Sequence, residues 1–72
     1  QDFKKAFNLY RMATEHENRD AQFKIGEMYY KGQGVSQNHK KALLWYQLAS
    51  SNNNSLAKNA LGKIYKEGKI VP

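Results

Sequence analysis

Few side chains in this 72-residue chain are suited to chemistry. His16 and His39 are its two histidines and its candidate general bases, yet no serine, cysteine or carboxylate stands at a spacing that would use either one. With no cysteine there is no thiolate nucleophile, no disulfide framework and no sulfur donor for a metal, and two histidines do not make a zinc ligand set. Gly32-Gln33-Gly34 is reminiscent of a phosphate-cradling loop. It lacks the Gly-Lys-Ser/Thr ending and the preceding strand that such loops need, so it reads as a helix terminator and a turn. Asn53-Asn54-Ser55 is a glycosylation sequon, meaningful only in a chain that enters the secretory pathway. Its stronger reading is a polar turn that caps the last helix through Asn54 or Ser55. No residue is assigned as catalytic, cofactor-binding or metal-ligating, and the expectation is a protein that is not an enzyme.

A chain of this length forms one small domain at most and buries only about 60% of its unfolded surface, which leaves little room for a deep active-site cleft. Hydrophobic residues at 40% and charged residues at 25% lie in the ordinary globular range, so the chain should fold. The longest apolar run, 42–46, is far short of the roughly 18 residues of a membrane span, and the first residues show no signal-peptide pattern. The chain starts with Gln1 rather than Met, as expected of a processed product or an excised segment.

The net charge of +6 is unevenly placed. Residues 1–36 are nearly neutral, whereas residues 37–72 carry Lys40, Lys41, Lys58, Lys63, Lys66 and Lys69 against Glu67 alone. A basic half invites a nucleic-acid or anionic-surface reading based on Lys58, Lys63, Lys66 and Lys69. Against it, all six cations are lysines, which lack the bidentate fork that arginine offers to phosphate and guanine. That reading is kept as the rival.

The elements that position any binding surface follow from an internal repeat. A shift of 36 residues pairs Lys4, Lys5 and Ala6 with Lys40, Lys41 and Ala42, Tyr10 with Tyr46, and Ala13 with Ala49. Without a gap it then pairs Ala21 with Ala57, Gly26 with Gly62, Tyr29 with Tyr65 and Gly32 with Gly68. Within each unit the apolar residues recur at helical spacing, as in Phe3, Ala6, Phe7, Tyr10 and Ala13, or Ala21, Ile25, Met28 and Tyr29. Asp2 and Asn38 stand as candidate N-caps, the second helix follows Asn18, its copy starts at Asn54 or Ser55, and Gly32 and Gly68 stand as terminators. The pattern predicts an all-α chain of about four antiparallel helices, near 3–15, 19–31, 39–51 and 55–67. Gly26 and Gly62 lie mid-helix, where glycine costs about 0.5–1 kcal/mol relative to alanine. Close approach of a neighbouring helix at both positions is the expected compensation.

The run Ala21-Gln22-Phe23-Lys24-Ile25-Gly26-Glu27-Met28-Tyr29-Tyr30-Lys31-Gly32-Gln33-Gly34-Val35, followed by Lys40-Lys41-Ala42 and Trp45-Tyr46-Gln47-Leu48-Ala49, resembles the Sel-one-like repeat family. That family is similar to tetratricopeptide repeats with a longer unit. The resemblance covers the whole chain. It implies a right-handed α/α solenoid that serves as an adaptor or scaffold for protein complexes, with one complete repeat near 18–52. The second copy departs from the pattern at Lys69 and Ile70.

By analogy with tetratricopeptide solenoids, helices 19–31 and 55–67 would line a concave groove. Asp20, Phe23, Glu27, Tyr30 and Lys31, with Asn59, Lys63 and Lys66 from the second copy, are then the candidate partner-binding residues. An exposed Phe and Tyr beside lysines would hold an apolar side chain and an acidic group of a protein or peptide partner; the alternative is that Phe23 packs on the preceding helix and the lysines are only solvated. On this reading Ile25, Met28, Tyr29, Leu61 and Tyr65 are buried, Tyr10 and Tyr46 belong to the core, Trp45 packs against the next repeat, and His39 is a partly buried structural histidine. Two unit lengths are short for a repeat array, so self-association through the exposed ends, near Val71 and Pro72, is also expected.

Overall fold

The computed structural model describes residues 2–68. Helix α1 spans Phe3–Ala13, α2 Arg19–Lys31, α3 His39–Ser51 and α4 Ser55–Glu67, and the described residues contain no strand. Each helix starts at a side-chain cap of the same chemistry. The carboxylate of Asp2 accepts from the Lys5 amide, Asn18 accepts from Asp20 and Ala21, Asn38 from Lys41, and Asn54 from Ala57. Such a cap satisfies amides that have no partner within the helix and contributes about 1 kcal/mol.

The first helix is shorter than the expected 3–15. After Ala13 the chain tightens into one 3-10 turn, Thr14–His16, and Glu17 takes a left-handed conformation with φ 54°. That tight reversal brings Asn18 into position to cap α2. At the other end of α2, Gly32 adopts φ 72° and its amide bonds Met28 O at 2.8 Å. The loop then folds back on the helix it leaves. The Asn38 amide donates to Tyr29 O and the Gln37 side chain donates to Tyr30 O, both at 2.9 Å, so the last carbonyls of α2 are satisfied by the segment leading into α3. Gly34 is held at φ 78° against the start of α1, where a Cβ would fall 2.5 Å from Phe3 O. A side chain there meets both strained backbone and filled space.

Helices α2 and α3 form the most extensive pairing, and α3 lies between α2 and α4. Ala42, Tyr46 and Ala49 recur at helical spacing on α3 and are all buried, joined by Ala57 and Ile64 of α4 in one cluster. Ile25, Met28 and Ala21 are the buried apolar residues of α2. At Gly26 a Cβ would stand 2.8 Å from Cδ1 of Tyr46 and 3.3 Å from Ala42 O, so the missing side chain is what lets α3 pack this closely.

Several expectations are corrected here. Among the described residues Gly62 has nothing within 4 Å of its Cβ direction, so the second glycine makes no close approach there. Tyr65 is 44% exposed and Tyr10 37% exposed, neither being core, while Tyr29 and Leu61 are half-buried. For Tyr10, Leu61, Gly62 and Tyr65, on α1 and α4, the common cause is position. Among the described residues α3 has a helix on each side, whereas α1 and α4 each pack on one side only. Trp45 packs toward the preceding unit, with the Arg11 guanidinium 5.6 Å from its ring centre, rather than toward the next. Lys69 of the rival basic surface, and Val71 and Pro72 of the expected association end, lie outside the described residues.

Candidate functional site

Helices α2 and α4 flank a cleft of about 350 Å³ whose floor includes Phe23, Ala60, Ile64 and Tyr46, the last contributed by α3 between them. Phe23 is half-buried, its ring 5.6 Å from that of Tyr46, so it belongs partly to the core and partly to the cleft. Burial pushes the Tyr46 phenol well above its ordinary range, with Glu27 and then Tyr30 adding to the shift. The floor is therefore apolar and stays uncharged.

The walls carry charge of both signs. On α2, the Glu27 carboxylate lies 3.4 Å from Lys24 and 3.5 Å from Lys31, two intrahelical pairs at exposed sites that contribute only about 0–1 kcal/mol each but orient the carboxylate along the rim. On α4 stand Lys63 and Glu67. The Tyr30 hydroxyl donates to the Glu67 carboxylate at 3.3 Å, bridging the two walls, while the Tyr30 ring stacks on His39 at 4.5 Å. His39 is half-buried at the first position of α3, and its ring fixes the orientation of Tyr30.

Five of the eight candidate residues line this cleft: Phe23, Glu27, Tyr30, Lys31 and Lys63. Asp20 does not. It lies at the N-terminal end of α2, where its carboxylate accepts from the Asn54 side chain at 3.1 Å. Asn59 and Lys66 are exposed on α4 outside the cleft.

Sequence reasoning missed three features. The repeat exchanges charge at the rim, since Glu27 and Lys31 of one copy correspond to Lys63 and Glu67 of the other. Aligning the copies by charge as well as by identity would have exposed that swap. A second, more apolar cleft of about 450 Å³ lies on the far side of Phe23, with Tyr10 and Leu56 among its lining residues. Thirdly, a polar tie fastens the N-terminal end of α2 to the chain around α4. Asn54 is buried and donates to Arg19 O at 3.3 Å as well as to Asp20, and the buried Gln22 accepts from Asn52 at 2.9 Å. Among the described residues no group of three or more potential ligands is placed to hold a metal, and no helix is long and apolar enough to cross a membrane.

The Sel1 repeat family model matches residues 1–18, 19–54 and 55–72. A search of curated proteins finds none that matches. Among solved structures, the chain is similar to a Sel1 repeat protein from Oxalobacter formigenes, with 35% sequence identity and a TM-score of 0.85. The likeness covers 90% of this chain and 27% of that one.

Proposed function

This chain belongs to the Sel1 repeat family, an all-helical solenoid family that generally serves as a protein-interaction scaffold, and we propose that it binds an extended segment of a partner protein along the cleft between α2 and α4. The observation that carries this reading is an apolar floor of Phe23, Tyr46 and Ile64 between rims that each hold one carboxylate and one lysine. A large apolar side chain of the partner removes that floor from water, and an acidic neighbour meets Lys31 or Lys63. The space is that of a small binding pocket. No step of chemistry enters the proposal.

The test uses peptides selected by display against the wild-type chain. Lys63→Glu is expected to weaken their binding by about tenfold, equivalent to roughly 1.4 kcal/mol, and Lys4→Glu on α1 to change it little. Phe23→Ala also strips a ring from Tyr46, so Phe23→Leu is the better variant, with circular dichroism to show that helicity is kept. Equal losses from Lys4→Glu and Lys63→Glu, with affinity falling steeply as salt is added, would overturn the groove reading. That pattern would favour the basic surface of Lys58, Lys63 and Lys66, all exposed on α4.

A further inference from the structure

The most buried tyrosine of the cleft has no hydrogen-bond partner in its own chain. Tyr46 is 4% exposed, its ring packed against Phe23 at 5.6 Å and against the bare backbone of Gly26. The Tyr30 hydroxyl donates to Glu67 and that of Tyr65 accepts from Gln47 at 3.2 Å, but among the described residues the Tyr46 hydroxyl makes no hydrogen bond. Every fully buried side-chain nitrogen or oxygen of the described residues has a partner, so this hydroxyl is not fully buried; it opens on the cleft whose floor Tyr46 helps to form. The phenol keeps its proton to donate, because burial, and then Glu27 and Tyr30, oppose its ionisation.

While the cleft is open this donor faces solvent. A segment that covers the floor takes the solvent away, and a covered donor without an acceptor cancels much of what burying the apolar floor gains. A purely aliphatic cover is therefore selected against, and the occupant has to bring an acceptor to this point. Charge decides which acceptor. Glu27 lines the cleft and acts on the phenol, so a carboxylate placed there meets a like charge, whereas Lys31 and Lys63 receive it at the rim. A neutral carbonyl oxygen meets no such opposition, and an extended segment carries one at every residue whatever its side chains. Resting on the cleft reading above, we propose that the Tyr46 hydroxyl fixes the partner's main chain by donating to one peptide carbonyl, beside the apolar side chain that covers Phe23 and Ile64. Tyr46 then sets the register of the bound segment, and the side chains around that carbonyl set its identity.

The test uses the display-selected peptides with Tyr46→Phe, which keeps the ring and removes only the hydroxyl. At neutral pH the helicity and melting temperature of this variant should match the wild type, since no internal bond is lost, while peptide affinity should fall about tenfold. Peptides in which one peptide bond at a time is replaced by a trans-alkene keep their shape and lose that carbonyl. At a single position the replacement should weaken binding to the wild type about tenfold and leave binding to Tyr46→Phe unchanged. Changing each acidic residue of the peptide to its amide should couple to Lys63→Glu and not to Tyr46→Phe. Peptides that bind Tyr46→Phe as tightly as the wild type, yet are lost in Lys63→Glu, would overturn this assignment and leave the cleft reading standing. Coupling of Tyr46 to a peptide carboxylate, or a lowered melting temperature in Tyr46→Phe, would overturn it as well. Peptides indifferent to both variants would remove the cleft reading and this inference with it.

Discussion

Gly26 and Gly62 occupy the same place in the repeat and live in different surroundings. At Gly26 the neighbouring helix presses so close that a Cβ would stand 2.8 Å from the Tyr46 ring; at Gly62 the same direction is open. The backbone cost of a mid-helix glycine is common to both. Only the first glycine is offset by packing, so the value of a repeated residue is set by what lies beside its helix and not by the repeat itself. Asn18 and Asn54 make a parallel pair. Both cap a helix, but Asn54 is buried and also reaches across to Arg19 and Asp20, whereas Asn18 is exposed and makes the cap alone.

The sharpest test of the contrast is substitution of the two glycines. Gly26→Leu should overpack the α2–α3 interface and cost about 1–3 kcal/mol, measured by urea denaturation, and a gain in stability would remove the close-packing account. Asn54→Ala should cost about 1–2 kcal/mol, and Asn18→Ala less, near the lower end of the range for a simple cap. Equal losses would mean that the bonds from Asn54 to α2 contribute nothing beyond the cap. Gly62→Ala should raise stability by about 0.5–1 kcal/mol, the sign opposite to Gly26→Leu, when measured at a concentration where the chain is monomeric.

Tyr46, the residue that faces Gly26, supplies a pH signature. Its phenol is held protonated in the folded chain above its ordinary range, chiefly by burial. The folded state therefore binds this proton more tightly than the unfolded state, and the associated stability is fully present below the ordinary phenol pKa of about 10 and lost progressively as pH rises above it. Melting temperature should fall through that alkaline window, and Tyr46→Phe should flatten the fall. An identical alkaline decline in Tyr46→Phe would assign the effect to other groups.

The helical class and the repeat were legible because the apolar spacing, the Asp and Asn caps and Gly32 all point to the same elements. What the repeat concealed was the inequality of its copies. Pairing Tyr65 with Tyr29 and Gly62 with Gly26 implies equal environments, but burial depends on whether a helix packs against that face, and this is a fact of order along the array rather than of local sequence. The cleft was partly legible, since Phe23, Glu27, Tyr30 and Lys31 form a stripe at helical spacing on one element. Asp20 was drawn into that stripe by its position, yet its carboxylate is engaged by Asn54, a residue 34 positions away whose approach no helical spacing predicts. The half-buried bond between Asn52, which ends α3, and Gln22, in the first turn of α2, has the same origin.

Trp45 is the chain's single tryptophan, and it carries the guanidinium of Arg11 over its face. The contact joins α1 to α3, so indole fluorescence is a local gauge of whether the first helix is docked. Far-ultraviolet dichroism, by contrast, averages over all four helices. If α1 frays before the rest of the bundle melts, the emission change will lead the loss of ellipticity, and the two melting curves will separate. Coincident curves would instead mark the four helices as one cooperative unit. A natural dye already sits at the joint where the distinction can be read, with no label to install.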